Sequence, residues 1–150
     1  MALLSESDQQ LLRTEFAALK RDVALTLVTH ESALVVPGEE VPYGREARLL
    51  LEEVAAQSPR IKLEVRDVQP SDEQQLGKLG AERLPALLFG APGSAKLRFF
   101  GLPAGYELST VIATILELGG EDTDALPAPI AEGLAKLSED VHIQVFVTPT

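Results

Sequence analysis

The sequence predicts an α/β domain with a mixed sheet over residues 1–120, in the order αβαβαββα, followed by a helix and a strand that begin the same pattern again. Three observations predict it. Apolar residues alternate along the chain between helical spacing and period-two alternation. Pro85 stands at the mouth of the apolar run Ala86-Leu87-Leu88-Phe89. The apolar pattern of residues 12–27 returns 118 residues later.

The elements follow in order. Ser7-x-x-Gln10 has the form of a capping box, and Leu12, Phe16 and Leu19 recur at helical spacing, so a first helix is expected over 7–20. Arg21-Asp22 ends it, and Val23-Ala24-Leu25-Thr26-Leu27-Val28 is the first strand. The connection from Thr29 to Pro42 is longer than an ordinary βα loop, which marks it as a functional loop or an insertion. A second helix carries Ala47, Leu50, Leu51 and Val54 on one face and stops at Ser58-Pro59. Ile61 to Arg66 alternates strictly and forms the second strand. Ser71-x-x-Gln74 is expected to cap a short third helix that ends at Gly80.

The run opened by Pro85 is the next strand. Proline has no N–H to give a sheet, so it is tolerated at a strand's first residue and not inside a central one. Ala91-Pro92-Gly93-Ser94 turns the chain into Lys96-Leu97-Arg98-Phe99-Phe100, the partner strand of a hairpin. Gly101 to Gly105 leads into a fourth helix with Leu108, Val111, Ile112 and Ile115 on its core face, ended by Gly119-Gly120. Two consecutive strands joined by a helix imply a parallel pair, and the hairpin adds antiparallel strands.

Residues 121–126 form an acidic linker, after which the pattern restarts. Ile130, Leu134 and Leu137 repeat Leu12, Phe16 and Leu19. Asp140, Val141, Ile143 and Val145 repeat Asp22, Val23, Leu25 and Leu27, all at the one offset of 118. The expected division is therefore a unit over 1–120 and the linker and truncated start of a second unit over 121–150. A strand over 141–147 would lack a parallel neighbour of its own, so it pairs with the first sheet, pairs with another molecule or stands as an open edge; the second of these predicts a homodimer formed through that strand.

Composition narrows the function. The 150 residues hold 13 basic and 23 acidic side chains, a net charge of −10, which repels phosphate backbones and argues against nucleic-acid partners. No apolar run approaches the ~18 residues of a membrane span, and no basic amphipathic face suggests a membrane surface. Met1-Ala2-Leu3-Leu4, followed by Ser5-Glu6-Ser7-Asp8, has neither the basic start nor the cleavage site of a signal peptide, so the expected location is the cytoplasm. The chain has no cysteine, which excludes disulfides, thiolate metal sites and thiol catalysis within it.

The order αβαβαββα with a proline opening the first hairpin strand resembles the thioredoxin fold. Phe99-Phe100-Gly101-Leu102-Pro103-Ala104-Gly105-Tyr106-Glu107 looks like a hairpin-to-helix junction of one group within it. These are the tandem, glutaredoxin-like protein disulfide oxidoreductases, to which the N-terminal domain of the alkyl hydroperoxide reductase flavoprotein is related. Val145-Phe146-Val147-Thr148-Pro149-Thr150 resembles the strand that runs, in those proteins, into the Cys-Pro-Tyr-Cys of the second unit. The resemblance covers a first unit over 1–120 and the opening of a second.

It implies that Leu84-Pro85 is cis and faces the start of the second helix, where active members carry Cys-x-x-Cys. A helix N-terminus there stabilises a thiolate. The corresponding slot is Val41-Pro42-Tyr43-Gly44, with Val41 and Gly44 in place of cysteines, and the other motif would lie past Thr150. The resemblance thus implies a redox-silent unit that packs on a second thioredoxin-like unit or on a partner reductase. Two alternatives stand beside it: an oxidoreductase whose active Cys-x-x-Cys unit lies beyond residue 150, and a free-standing adaptor with a peptide groove at Tyr43, Leu84 and Pro85.

No other chemistry is expected, and neither is a cofactor or metal. His30, near Glu31, Glu39 and Glu40, sits where α/β folds place ligands but reads as a solvated loop histidine, and His142 reads as a strand residue facing solvent or a partner. Gly-x-Ser-x-Gly, Gly-Lys-Ser/Thr and Gly-x-Gly-x-x-Gly are all missing, and Glu52-Glu53 diverge on adjacent helix positions.

Overall fold

A computed structural model describes residues 3–32, 37, 40–121 and 126–146. They fall into two units, 1–120 and 121–150.

The first unit has the expected order of elements. Helix α1 spans Glu6–Phe16, strand β1 Val23–Thr29, helix α2 Gly44–Ala55, strand β2 Ile61–Asp67 and helix α3 Glu73–Leu79. Strands β3 (Ala86–Phe89) and β4 (Leu97–Phe100) and helix α4 (Tyr106–Gly119) complete it. The sheet order is β2-β1-β3-β4. Strands β1 and β2 are parallel, while β1–β3 and β3–β4 are antiparallel.

The central strands bury both faces, as apolar residues at successive positions require. Leu25, Leu27 and Leu87 point into a core with Leu12 and Phe16 of α1, Leu50, Leu51 and Val54 of α2, and Val111 and Ile115 of α4. Val28, Ala86 and Leu88 point the other way, onto Leu76 of α3, Val68 and Ala81. The buried Thr26 hydroxyl donates to the Gly90 carbonyl at 3.1 Å.

Two helix starts differ from expectation. The α1 cap is Ser5, whose Oγ accepts from the Asp8 N–H at 3.1 Å while the Asp8 carboxylate accepts from the Ser5 N–H at 3.2 Å. The α3 cap is Asp72, which accepts from the Gln75 N–H at 2.9 Å. In both cases a carboxylate closes the turn, a stronger acceptor than the hydroxyl or amide of the expected boxes.

In the second unit, helix α5 spans Ala128–Ala135 and buries none of its residues. Residues 141–146 form no strand in the single chain, which corrects the strand expected over 141–147 and His142's place on it; 147–150 lie outside the described residues. Alternation selects a strand only where another strand satisfies its N–H and C=O groups, and no such neighbour is present among the described residues. Ile130, Leu134, Leu137, Val141, Ile143 and Val145 are each at least 51% exposed, whereas their counterparts in the first unit are at most 4% exposed.

Candidate functional site

The C-terminal ends of β1 and β2 and the N-terminal end of β3 share one edge of the sheet. Thr29 is in register with Asp67, and Val28 with Ala86, so the next rung sets Thr29 beside Pro85. The Leu84-Pro85 peptide is cis, Pro85 is buried, and its carbonyl accepts from the Gly101 N–H at 2.9 Å. Leu84 is half-buried.

Helix α2 starts over the same edge. Val41-Pro42-Tyr43-Gly44 is a turn closed by the Gly44 N–H donating to the Val41 carbonyl at 3.2 Å. Proline at its second position and a left-handed third residue make it a type II turn. That third residue is Tyr43, at φ 62° and ψ 13°. Glycine or asparagine normally fills such a position, because a Cβ there crowds the following carbonyl. The Tyr43 ring is exposed and Val41 is half-buried. No side chain caps α2.

Gly44 is buried against the end of β1. A Cβ on it would lie 2.5 Å from Thr29 Oγ1, 3.1 Å from Val41 Cγ1 and 3.3 Å from the His30 carbonyl oxygen. The Thr29 hydroxyl is itself buried and has no hydrogen-bond partner among the described residues. The turn therefore ends on a buried glycine at the start of α2, and the space for a side chain there is already taken.

The reading of His30 as a solvated loop residue is corrected. Its side chain is 11% exposed, and Nδ1 lies 2.7 Å from Asp67 Oδ1, a contact joining the ends of β1 and β2. Sequence spacing does not show this pair, because it depends on the register of two strands and joins residues 37 apart. Glu31 turns to Arg48 at 3.4 Å, and Arg48 bonds Glu52 at 2.8 Å. The Glu52 carboxylate, by hydrogen bond and charge, raises the Arg48 pKa, with Glu31 adding to it. Among the described residues no three His, Asp or Glu side chains converge as a metal site, and Glu39 lies outside them.

Glu53 points away from Glu52. Its carboxylate accepts from the Leu3 N–H at 2.8 and 3.0 Å and from the Leu4 N–H at 2.8 Å. These bonds, Leu4's first and then Leu3's, hold its carboxyl below the ordinary value of 4.5. Among the described residues, no helix is long and apolar enough to cross a membrane.

No family model matches the sequence. The alkyl hydroperoxide reductase AhpF of Xanthomonas campestris pv. phaseoli is 31% identical over 103 residues, 68% of this chain and 17% of that protein. A protein disulfide oxidoreductase from Aeropyrum pernix superposes with a TM-score of 0.70 at 24% identity, over 91% of this chain and 56% of that one. A mutant AhpF from Enterococcus faecalis gives 0.68 at 22% identity, over 89% and 61%. The N-terminal domain of AhpF, again from Enterococcus faecalis, gives 0.65 at 21%, over 87% and 59%. The chain thus spans about a sixth of the curated relative it matches and less than two thirds of these solved chains. It has a thioredoxin-like fold, is homologous to the N-terminal domain of the alkyl hydroperoxide reductase AhpF, and resembles the thiol–disulfide oxidoreductases while containing no cysteine.

Proposed function

We propose that this chain is a redox-silent thioredoxin-fold unit whose work is packing or recognition, with Val41-Pro42-Tyr43-Gly44 as the remnant of a Cys-x-x-Cys slot and Leu84-Pro85 as the opposite wall of its groove. The observation that carries the reading is Gly44. It stands at the start of α2, where a thiolate would gain most from the helix N-terminus, and Thr29 occupies the room a cysteine side chain would need. With no cysteine anywhere, the chain has no thiol to exchange. The cytoplasmic setting expected from the sequence goes with this reading.

The partner in this reading is a second thioredoxin-like unit or a reductase. The support is the second repeat: six apolar positions that are core residues in the first unit stand exposed in residues 126–146 and call for a core to enter. Insulin reduction with dithiothreitol tests the silence. The rate with the chain should equal the rate without it, and any excess overturns the reading.

A further inference from the structure

A groove of about 480 Å³ opens in the first unit among α1, α2, α4 and the segments leading into α1 and α4. Leu4, Leu11, Leu108 and Ile112 are among the apolar residues lining it, and the charged residues lining it, Asp8 and Glu46, are both acidic. None of Val41, Pro42, Tyr43, Gly44, Leu84 or Pro85 lines it. Leu11 is 57% exposed although it lies one residue from the core residue Leu12.

We propose that this groove docks a single amphipathic helix of a partner protein, apolar on the inserted face and basic along its flanks. Three features select that occupant. No strand residue lines the groove, and most of its lining lies on α1, α2 and α4. An extended strand would find no backbone ladder there, whereas a helix arrives with its own hydrogen bonds made. The rim charges are of one sign, so lysine or arginine beside the apolar face finds Asp8 and Glu46, while an acidic flank is repelled. A second copy of this chain would bring another net charge of −10 and another acidic rim to the contact. The inference goes beyond the redox-silent reading and does not depend on the α2 turn.

The test titrates the 150-residue chain into a labelled, leucine-rich amphipathic peptide with lysine flanks, and into its twin with glutamate flanks. The lysine-flanked peptide should bind about tenfold or more tighter, and added salt should weaken it. Leu11→Glu should cut its affinity about tenfold and Glu46→Lys should narrow the preference between the peptides about threefold. Both residues are exposed, so circular dichroism melts should stay at wild type for Leu11→Glu and fall only slightly for Glu46→Lys, which reverses a charge in the first turn of α2. Equal affinities for the two peptides, or binding that Leu11→Glu leaves unchanged, overturn the proposal. So does co-sedimentation with neutral phosphatidylcholine vesicles in place of peptide binding, or self-association that Leu11→Glu abolishes.

Discussion

Thr29 Oγ1 lies 2.5 Å from the point where a Cβ on Gly44 would sit, so the end of β1 closes the start of α2 against any side chain at that position. Threonine is β-branched and stiff about χ1, and its hydroxyl has no hydrogen-bond partner among the described residues to draw it aside. Gly44→Ala should therefore destabilise the chain by about 1–3 kcal/mol in urea denaturation, the cost of overpacking a filled core. In a Thr29→Ala background the same change should cost less, since the two sites touch and their effects are not additive. Thr29→Val, which removes the unsatisfied hydroxyl at constant shape, should stabilise by about 1 kcal/mol.

Tyr43 holds a left-handed backbone with its ring in solvent. Nothing in its surroundings repays that conformation by burial. Tyr43→Asn should raise stability by about 0.5–1 kcal/mol, because asparagine tolerates this region better. A loss of stability in the same urea titration would show that the ring makes a contact that matters.

Glu53 ties the segment before α1 to α2 through the Leu3 and Leu4 N–H groups. Its carboxyl titrates below its unfolded value, so the tie contributes at pH above that value and is lost as pH falls through the lowered one. Amide exchange at Leu3 and Leu4 should accelerate below about pH 4.5, in addition to the intrinsic pH trend, which is calibrated on free peptide. Glu53→Gln should bring fast exchange at neutral pH and abolish the added acid step. Leu4 is buried and Leu3 lines the groove with it, so the same tie shapes one wall of the proposed docking site.

The order of elements was legible because it is written in local periodicity. Leu12 and Phe16, Leu25 and Leu27, and Leu50, Leu51 and Val54 all enter the core their spacing implied. Cap positions were less so: the motif of Ser7 and Gln10 competes with that of Ser5 and Asp8 two residues earlier, and the carboxylate decides it. Ser5→Ala should cost about 1 kcal/mol and Ser7→Ala less than about 0.5 kcal/mol, readable as a difference in thermal midpoint. Equal losses would contradict this assignment of the cap.

What stayed hidden depends on long-range register or on assembly. The His30–Asp67 contact follows from the pairing of β1 with β2. The groove gathers leucines from three helices and the segments leading into two of them, and no window of sequence contains them together. The alternation over 141–146 is the opposite case, a strand pattern without a strand beside it.

In the proposed reading the turn at the start of α2 is a redox slot that is closed as well as without thiols. Insulin reduction by a Val41→Cys, Gly44→Cys double variant tests it most directly, with its urea midpoint measured alongside. The double variant should be destabilised and should reduce insulin no faster than the no-protein control. A double variant as stable as the wild type that reduces insulin above that control would contradict it.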